Sequence, residues 1–305
     1  MLGVAVLAVV ALARAASPAP TVAVLTEARQ GSGEVLVRRA GTPDWTPPEP
    51  LVALQVGDQI RVTGDGRAVL VFTGGDVQTV LPANSPYAVT APRSQSTGDA
   101  VRALTGGIVQ FLLGQRKEVT FESLSVRGPS LAPRIVSPRE TRLLPGPVVL
   151  EWTGPPALRY RVQVLGPQGL VWQESDLPLG PVEYPASALK LQPGARYTWV
   201  LEAPGQPAQR AQFEIVPAAD ARALEAALAD LQQATLTGDL PGTMAVMRGG
   251  FLLQEGLVAD ARREILLGLS REPRNPTLHL LLGYVYQRGG LIDLAAQQFD
   301  EAHRP

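Results

Sequence analysis

The 305-residue sequence contains no cysteine, two histidines (His279 and His303), two lysines (Lys117 and Lys190) and three methionines. Without cysteine there is no disulfide framework, no thiolate nucleophile and no cysteine-based zinc site to expect. Two histidines fall short of the three or four ligands a zinc centre needs, and no HExxH pair occurs, so neither a metal nor another cofactor is expected. The nucleophile elbow Gly-x-Ser-x-Gly, the phosphate loop and the dinucleotide fingerprint are also missing. A run of about 20 apolar residues is absent, so no membrane span is expected in the mature chain. The net charge is −1, with 25 dispersed arginines balanced by 28 acids. That balance leaves no basic face for nucleic acid. Carboxylate-pair glycosidase chemistry needs only Asp and Glu, but small modules in series offer no single deep cleft. The protein is expected not to be an enzyme.

Glycine (30) and proline (28) are abundant, together about a fifth of the chain. They imply many turns and many short strands. Of the prolines, 24 lie at or before Pro217, and alanine and leucine dominate afterwards. The expected fold class is therefore multi-domain, mainly β and then α. Leu2 to Ala13 is an apolar run followed by Ala13-Arg14-Ala15 and a proline-rich stretch. Such a run, too short to span a bilayer and closed by small residues, reads as a signal peptide over 1–16. The protein is then exported, to the periplasm or the exterior.

From Thr21 the pattern is strand-like. Val22, Val24, Val35 and Val37 alternate with polar neighbours, as do Ile60 and Val62. Ala68, Leu70 and Phe72 share one strand face, with Val69 and Val71 on the other. Asp58, Asp65 and Asp76 each sit beside glycine and read as turn residues rather than as a calcium loop. The segments GEVLVRRAG (33–41), LQVGDQIRVTGDGRAVLVF (54–72), TGGDVQTVLPANSPYAV (73–89), LTGGIVQFLLG (104–114) and VRG (126–128) resemble a FecR-type β-domain over 22–128. That resemblance implies a bacterial envelope protein.

Pro129, Pro133 and Pro138 punctuate a linker. Alternating segments then recur about every ten residues to Pro217, with Trp152, Tyr160 and Val162 at inward positions. Leu191-Gln192-Pro193-Gly194 followed by Tyr197, and Phe213 and Ile215 in a last strand, complete a spacing that resembles a fibronectin type III sandwich. The resemblance covers 129–217 with its linker, and it implies a tyrosine corner at Tyr197. Trp172 and Tyr184 are less determined by this spacing, and they keep open an exposed stacking face.

Residues 218–305 read as helical. Leu224, Leu228 and Leu231 form one stripe, capped by Asp220 and ended near Gly238. Positions 242–275 repeat at an offset of 34: Gly249 with Gly283, Leu252 with Tyr286, Ala261 with Ala295, Ile265 with Phe299. Turns at Glu255-Gly256 and Gly289-Gly290 separate the helices of each pair. This spacing resembles the tetratricopeptide repeat, although Gly268 stands where alanine is usual. A repeat unit cannot bury its apolar stripe alone. Leu278, Leu282, Tyr286, Leu291, Leu294 and Phe299 of the final unit, together with Leu281 and Val285, are therefore expected to lie in part against the sandwich, a second copy or a partner. The expected function is an envelope scaffold or adaptor that binds envelope proteins, or itself, through residues 218–305. The alternative is a cell-wall glycan or peptidoglycan binder using the β-domains.

Overall fold

The computed structural model describes residues 20–91, 99–118, 132–235 and 240–304. The expected signal peptide and the VRG segment lie outside the described residues. The first module holds strands β1 (Thr21–Arg29), β2 (Val35–Arg38), β3 (Trp45–Thr46), β4 (Ala53–Gln55), β5 (Gln59–Val62), β6 (Arg67–Phe72), β7 (Val77–Val80) and β8 (Tyr87–Ala88). They form two antiparallel four-stranded sheets, ordered β4-β1-β6-β7 and β3-β2-β5-β8. In the second sheet the alternation is simple: Val35, Val37, Ile60 and Val62 point into the core. The first sheet is buried on both faces. Ala68, Leu70 and Phe72 join the β-core, whereas Val24 and Val71 join the core shared with the helices. This explains why β6 reads as a nearly continuous apolar run, as a strand covered on two sides does.

The aspartates at the turns bind backbone. Asp65 Oδ1 accepts the Ser32 N–H at 2.5 Å and the Ser32 hydroxyl at 2.9 Å. Buried Asp58 accepts the N–H groups of Ala40 and Gln55 and pairs with Arg39. These bonds secure the hairpins by satisfying N–H groups that the ladders leave unpaired.

Segment 104–114 departs from the β reading, because it lies inside helix α1 (Asp99–Glu118). Thr105, Ile108, Val109 and Leu112 are buried, and their i, i+3, i+4, i+7 spacing is helical. The Gly106-Gly107 pair is no turn. A Cβ on Gly106 would sit 3.0 Å from the Thr73 carbonyl oxygen, so the glycine lets α1 lie close against the sheet.

The second module comprises β9 (Arg134–Ser137), β10 (Thr141–Leu143), β11 (Val149–Thr153), β12 (Tyr160–Gly166), β13 (Gly169–Leu177), β14 (Val182–Glu183), β15 (Arg196–Glu202) and β16 (Gln209–Ile215). A five-stranded sheet, β10-β16-β15-β12-β13, faces a three-stranded one, β14-β11-β9. Trp152, Tyr160, Val162, Tyr197, Phe213 and Ile215 share one core. The buried polar tips are mostly satisfied, as burial requires. Tyr160 O–H donates to the Pro155 carbonyl at 2.7 Å, and the Trp199 indole N–H donates to Pro138 at 2.8 Å. The phenolic oxygen of Tyr197 accepts the Gln192 N–H at 2.7 Å, closing the corner just before β15.

Five helices follow: α2 (Ala218–Thr235), α3 (Pro241–Gln254), α4 (Val258–Arg271), α5 (Pro276–Arg288) and α6 (Ile292–Ala302). Asp220 lies within the first turn of α2, where a negative charge is favourable, rather than ahead of it as a cap. The stripe Ala221, Leu224, Leu228 and Leu231 is buried. The pairs α3/α4 and α5/α6 are hairpins of the same build. Gly256 (φ 74) and Gly290 (φ 69) take the left-handed conformation that ends each first helix. The Leu257 N–H then reaches Leu252, and the Leu291 N–H reaches Tyr286, both at 2.8 Å. A Cβ on Gly249 would meet Ile265 at 2.8 Å, and one on Gly283 would strike the Phe299 ring. Gly268 has its own reason: a Cβ there would meet Leu278 at 2.9 Å and collide with Ala245.

Candidate functional site

The expected partner-facing residues are inside the chain. Leu278, Leu282, Tyr286, Leu291 and Phe299 are buried, and Leu294 is half-buried against the same core. They belong to one core, built mainly by the helices and shared with α1 and with residues of both β-modules. Charge pairs and a shared apolar core make those contacts, and they are the most built feature of the helical module.

On one side stands the second β-module. Arg134 of β9 forms a two-pronged ion pair with Asp293 of α6, at 2.6 and 2.7 Å. That fork holds the Asp293 carboxyl below its ordinary range. Arg262 of α4 makes the same kind of pair with Glu151 of β11, at 2.8 Å for both bonds, and lies over the Tyr286 ring. Burial works against the Arg262 charge, but the Glu151 carboxylate and Tyr286 outweigh it and raise its pKa. Asp260 of α4 accepts the Leu144 N–H at 3.0 Å and pairs with Arg263. Burial dominates there and pushes the Asp260 carboxyl up. The Arg142 N–H and guanidinium reach the carbonyls of Gly256 and Glu255 at the α3–α4 turn. Beside this clasp lies a cavity of about 220 Å³ lined by Pro147, Val148, Ala259 and Leu266 among others. Arg262 and Arg263 at its rim are already paired.

On the other side stands the first β-module. The hydroxyls of Thr26 and Thr243 share a buried hydrogen bond of 3.1 Å. Arg67 of β6 lies between Glu27 of β1, at 2.5 Å, and Glu272 after α4, at 3.7 Å. Glu27 is 3% exposed, and its second oxygen has no hydrogen-bond partner. Burial, then the neighbouring Glu272 charge, raise its pKa against the pull of Arg67. Helix α1 completes the contact. A Cβ on Gly250 would meet Leu112 and Ile108 at 3.0 and 3.1 Å, and Arg288 of α5 stacks on Phe111 at 5.2 Å. The second helical pair carries Tyr284 at the place corresponding to Gly250, so α3, and not α5, offers α1 a bare stretch of backbone.

Sequence reasoning missed these clasp residues. Arg134, Glu151, Asp260, Arg262 and Asp293 sit in unremarkable contexts, and only docking brings them together. Both histidines serve local structure. His279 bridges Gln298 (2.8 Å) and the Pro273 carbonyl (2.9 Å), and His303 bonds the Phe299 carbonyl. Trp172 and Tyr184 pack edge-to-face at 5.6 Å, both half-buried, and Tyr184 O–H donates to Leu189. Among the described residues no group of three His, Asp or Glu side chains is placed to hold a metal, and no helix is long and apolar enough to cross a membrane. No family model and no curated protein sequence matches the chain.

Proposed function

We propose that this protein is an exported, non-catalytic adaptor of the bacterial envelope, in which a repeat-like helical module fixes two β-modules relative to one another. The observation that carries the reading is the double clasp. Arg134–Asp293 and Arg262–Glu151 tie the helices to the second β-module. Thr26–Thr243 and Arg67–Glu272 tie them to the first. Partly buried forked pairs of this kind fix orientation more than they add stability, and fixed orientation is what a scaffold needs. The resemblances to FecR-type, fibronectin type III and tetratricopeptide modules support the same reading.

With the expected apolar residues internal, partner contact falls to the outward faces, where, among the described residues, Leu267 (52% exposed) and Ile292 (41%) are the large apolar side chains the helices leave in solvent. The test is affinity capture by the full chain from its native envelope fraction. It is run beside an Arg134→Ala/Arg262→Ala variant, which loosens the clasp, and a Leu267→Ser/Ile292→Ser variant. We expect one envelope protein to be retained by the wild type and lost by at least one variant. Equal retention by all three, or hydrolysis of chromogenic glycosides by the wild type, overturns the reading.

A further inference from the structure

The outer face of the β3-β2-β5-β8 sheet carries a feature that neither the clasp nor the core uses. Alternation places Arg38 of β2 and Arg61 of β5 outward, because Val37 and Ile60, Val62 point in. Arg38 lies directly across from Trp45 in the β2–β3 ladder. Both guanidinium groups stack on the Trp45 ring, with Cζ 4.8 Å from its centroid for Arg38 and 4.6 Å for Arg61. The Arg38 group is further fixed by donating to Gln59 Oε1 at 2.6 Å. Neighbouring Arg39 and Arg67 each have a carboxylate partner, but no ion pair joins Arg38 or Arg61 among the described residues. Two like charges thus share one indole, oriented and uncompensated, in a protein whose net charge is −1.

We propose that Arg38, Trp45 and Arg61 form an anion-binding clamp for a carboxylate-bearing polysaccharide. A guanidinium stacked on a ring donates only in its own plane; beyond the one bond that Arg38 gives Gln59, the in-plane N–H groups of the two arginines match a carboxylate with two parallel hydrogen bonds. The ring supplies rigidity, so little freedom is lost on binding. An acidic peptide is disfavoured because the bordering strand β3 is two residues long and flanked by Pro43, Pro47 and Pro48, which lack the N–H groups that strand addition uses. A lipid surface is disfavoured because none of the large exposed apolar side chains belongs to β2, β3 or β5, so nothing there inserts. This inference goes beyond the adaptor reading and stands without it.

The test uses the full chain and oligogalacturonate as probe, titrated calorimetrically at low and at moderate salt. Polyglutamate and anionic phospholipid vesicles are the comparison arms. We expect saturable binding to oligogalacturonate that weakens with salt. Arg61→Gln and Arg38→Gln should each reduce affinity tenfold or more, while circular dichroism and the unfolding midpoint stay unchanged. The double Arg38→Lys/Arg61→Lys variant keeps the charge and loses the fork, and it should not restore affinity. The clamp is refuted if the wild type does not bind the oligosaccharide or if the lysine variant binds as well. Equal or tighter binding of polyglutamate or vesicles refutes it too.

Discussion

Gly283→Ala puts the close approach of α5 and α6 to a direct test, because two effects of known size oppose each other. In a helix interior alanine is favoured over glycine by about 1 kcal/mol. If space were open, the substitution would stabilise the protein by that amount. A Cβ at Gly283, however, would run into three atoms of the Phe299 ring, which is 4% exposed and held edge-on to Tyr284 at 5.6 Å. A ring so enclosed cannot swing away without displacing its neighbours, and overpacking of this kind costs about 1–3 kcal/mol. The collision is severe, so the upper part of that range applies, and the net expectation is a loss of about 1–2 kcal/mol. Phe299→Leu removes the obstructing ring at a cavity cost of about 1–3 kcal/mol. In the double variant Gly283→Ala/Phe299→Leu the introduced methyl group has room, and the helical preference of alanine is regained. The double-mutant cycle should therefore show a favourable coupling of about 2–3 kcal/mol, the overpacking cost that the double variant no longer carries. Gly114→Ala in α1 is the control: nothing lies within 4 Å of its would-be Cβ, so it should stabilise by up to about 1 kcal/mol. Urea unfolding of the full chain, followed by far-ultraviolet circular dichroism, reads all four variants against the wild type at constant m-value. The reasoning fails if Gly283→Ala is as stable as the wild type, or if the coupling is below about 0.5 kcal/mol.

Two further outcomes are expected. Trp152→Ala removes a 3% exposed ring packed on Tyr160 at 5.5 Å and should cost about 3–5 kcal/mol in chemical denaturation; a loss under about 1 kcal/mol would place Trp152 outside a core. For Glu27 the sign follows from its raised pKa. Above its ordinary value of 4.5 the folded chain holds a proton that the unfolded chain has released, so this contribution is full at lower pH and fades as pH rises through the folded value. Glu27→Gln should flatten the fall in stability across that window, and parallel wild-type and variant pH profiles would show that Glu27 does not titrate as its burial requires.

Elements governed by local chemistry were legible in the sequence. Trp152 and Tyr197 declared themselves through period-2 alternation and a Pro-Gly turn, and the 34-residue offset through glycines that must face Ile265 and Phe299. Helix α1 was obscured because Gly106-Gly107 resembles a turn, although Thr105, Ile108, Val109 and Leu112 carry a helical period. What covers Leu278, Leu282, Tyr286, Leu291, Leu294 and Phe299 was legible only as a choice among the sandwich, a second copy and a partner. Their apolar character announces burial, but what covers them depends on docking between segments as distant as Arg134 and Asp293, which are 159 positions apart. Only the assembled tertiary structure supplies that information.

The first sheet's second buried face has a consequence for how the chain comes to be folded. Val24, Leu51 and Val71 belong to a core whose other half is contributed by residues made far later, and Thr26 meets Thr243 across 217 positions. A nascent chain therefore completes one side of this sheet early, and has only α1 to lay on the other until α3 and α5 emerge. Contacts of such sequence separation form slowly, and exposed apolar strands are sticky while they wait. The part of this face that α1 leaves open is thus the surface most prone to association until α3 and α5 dock on it.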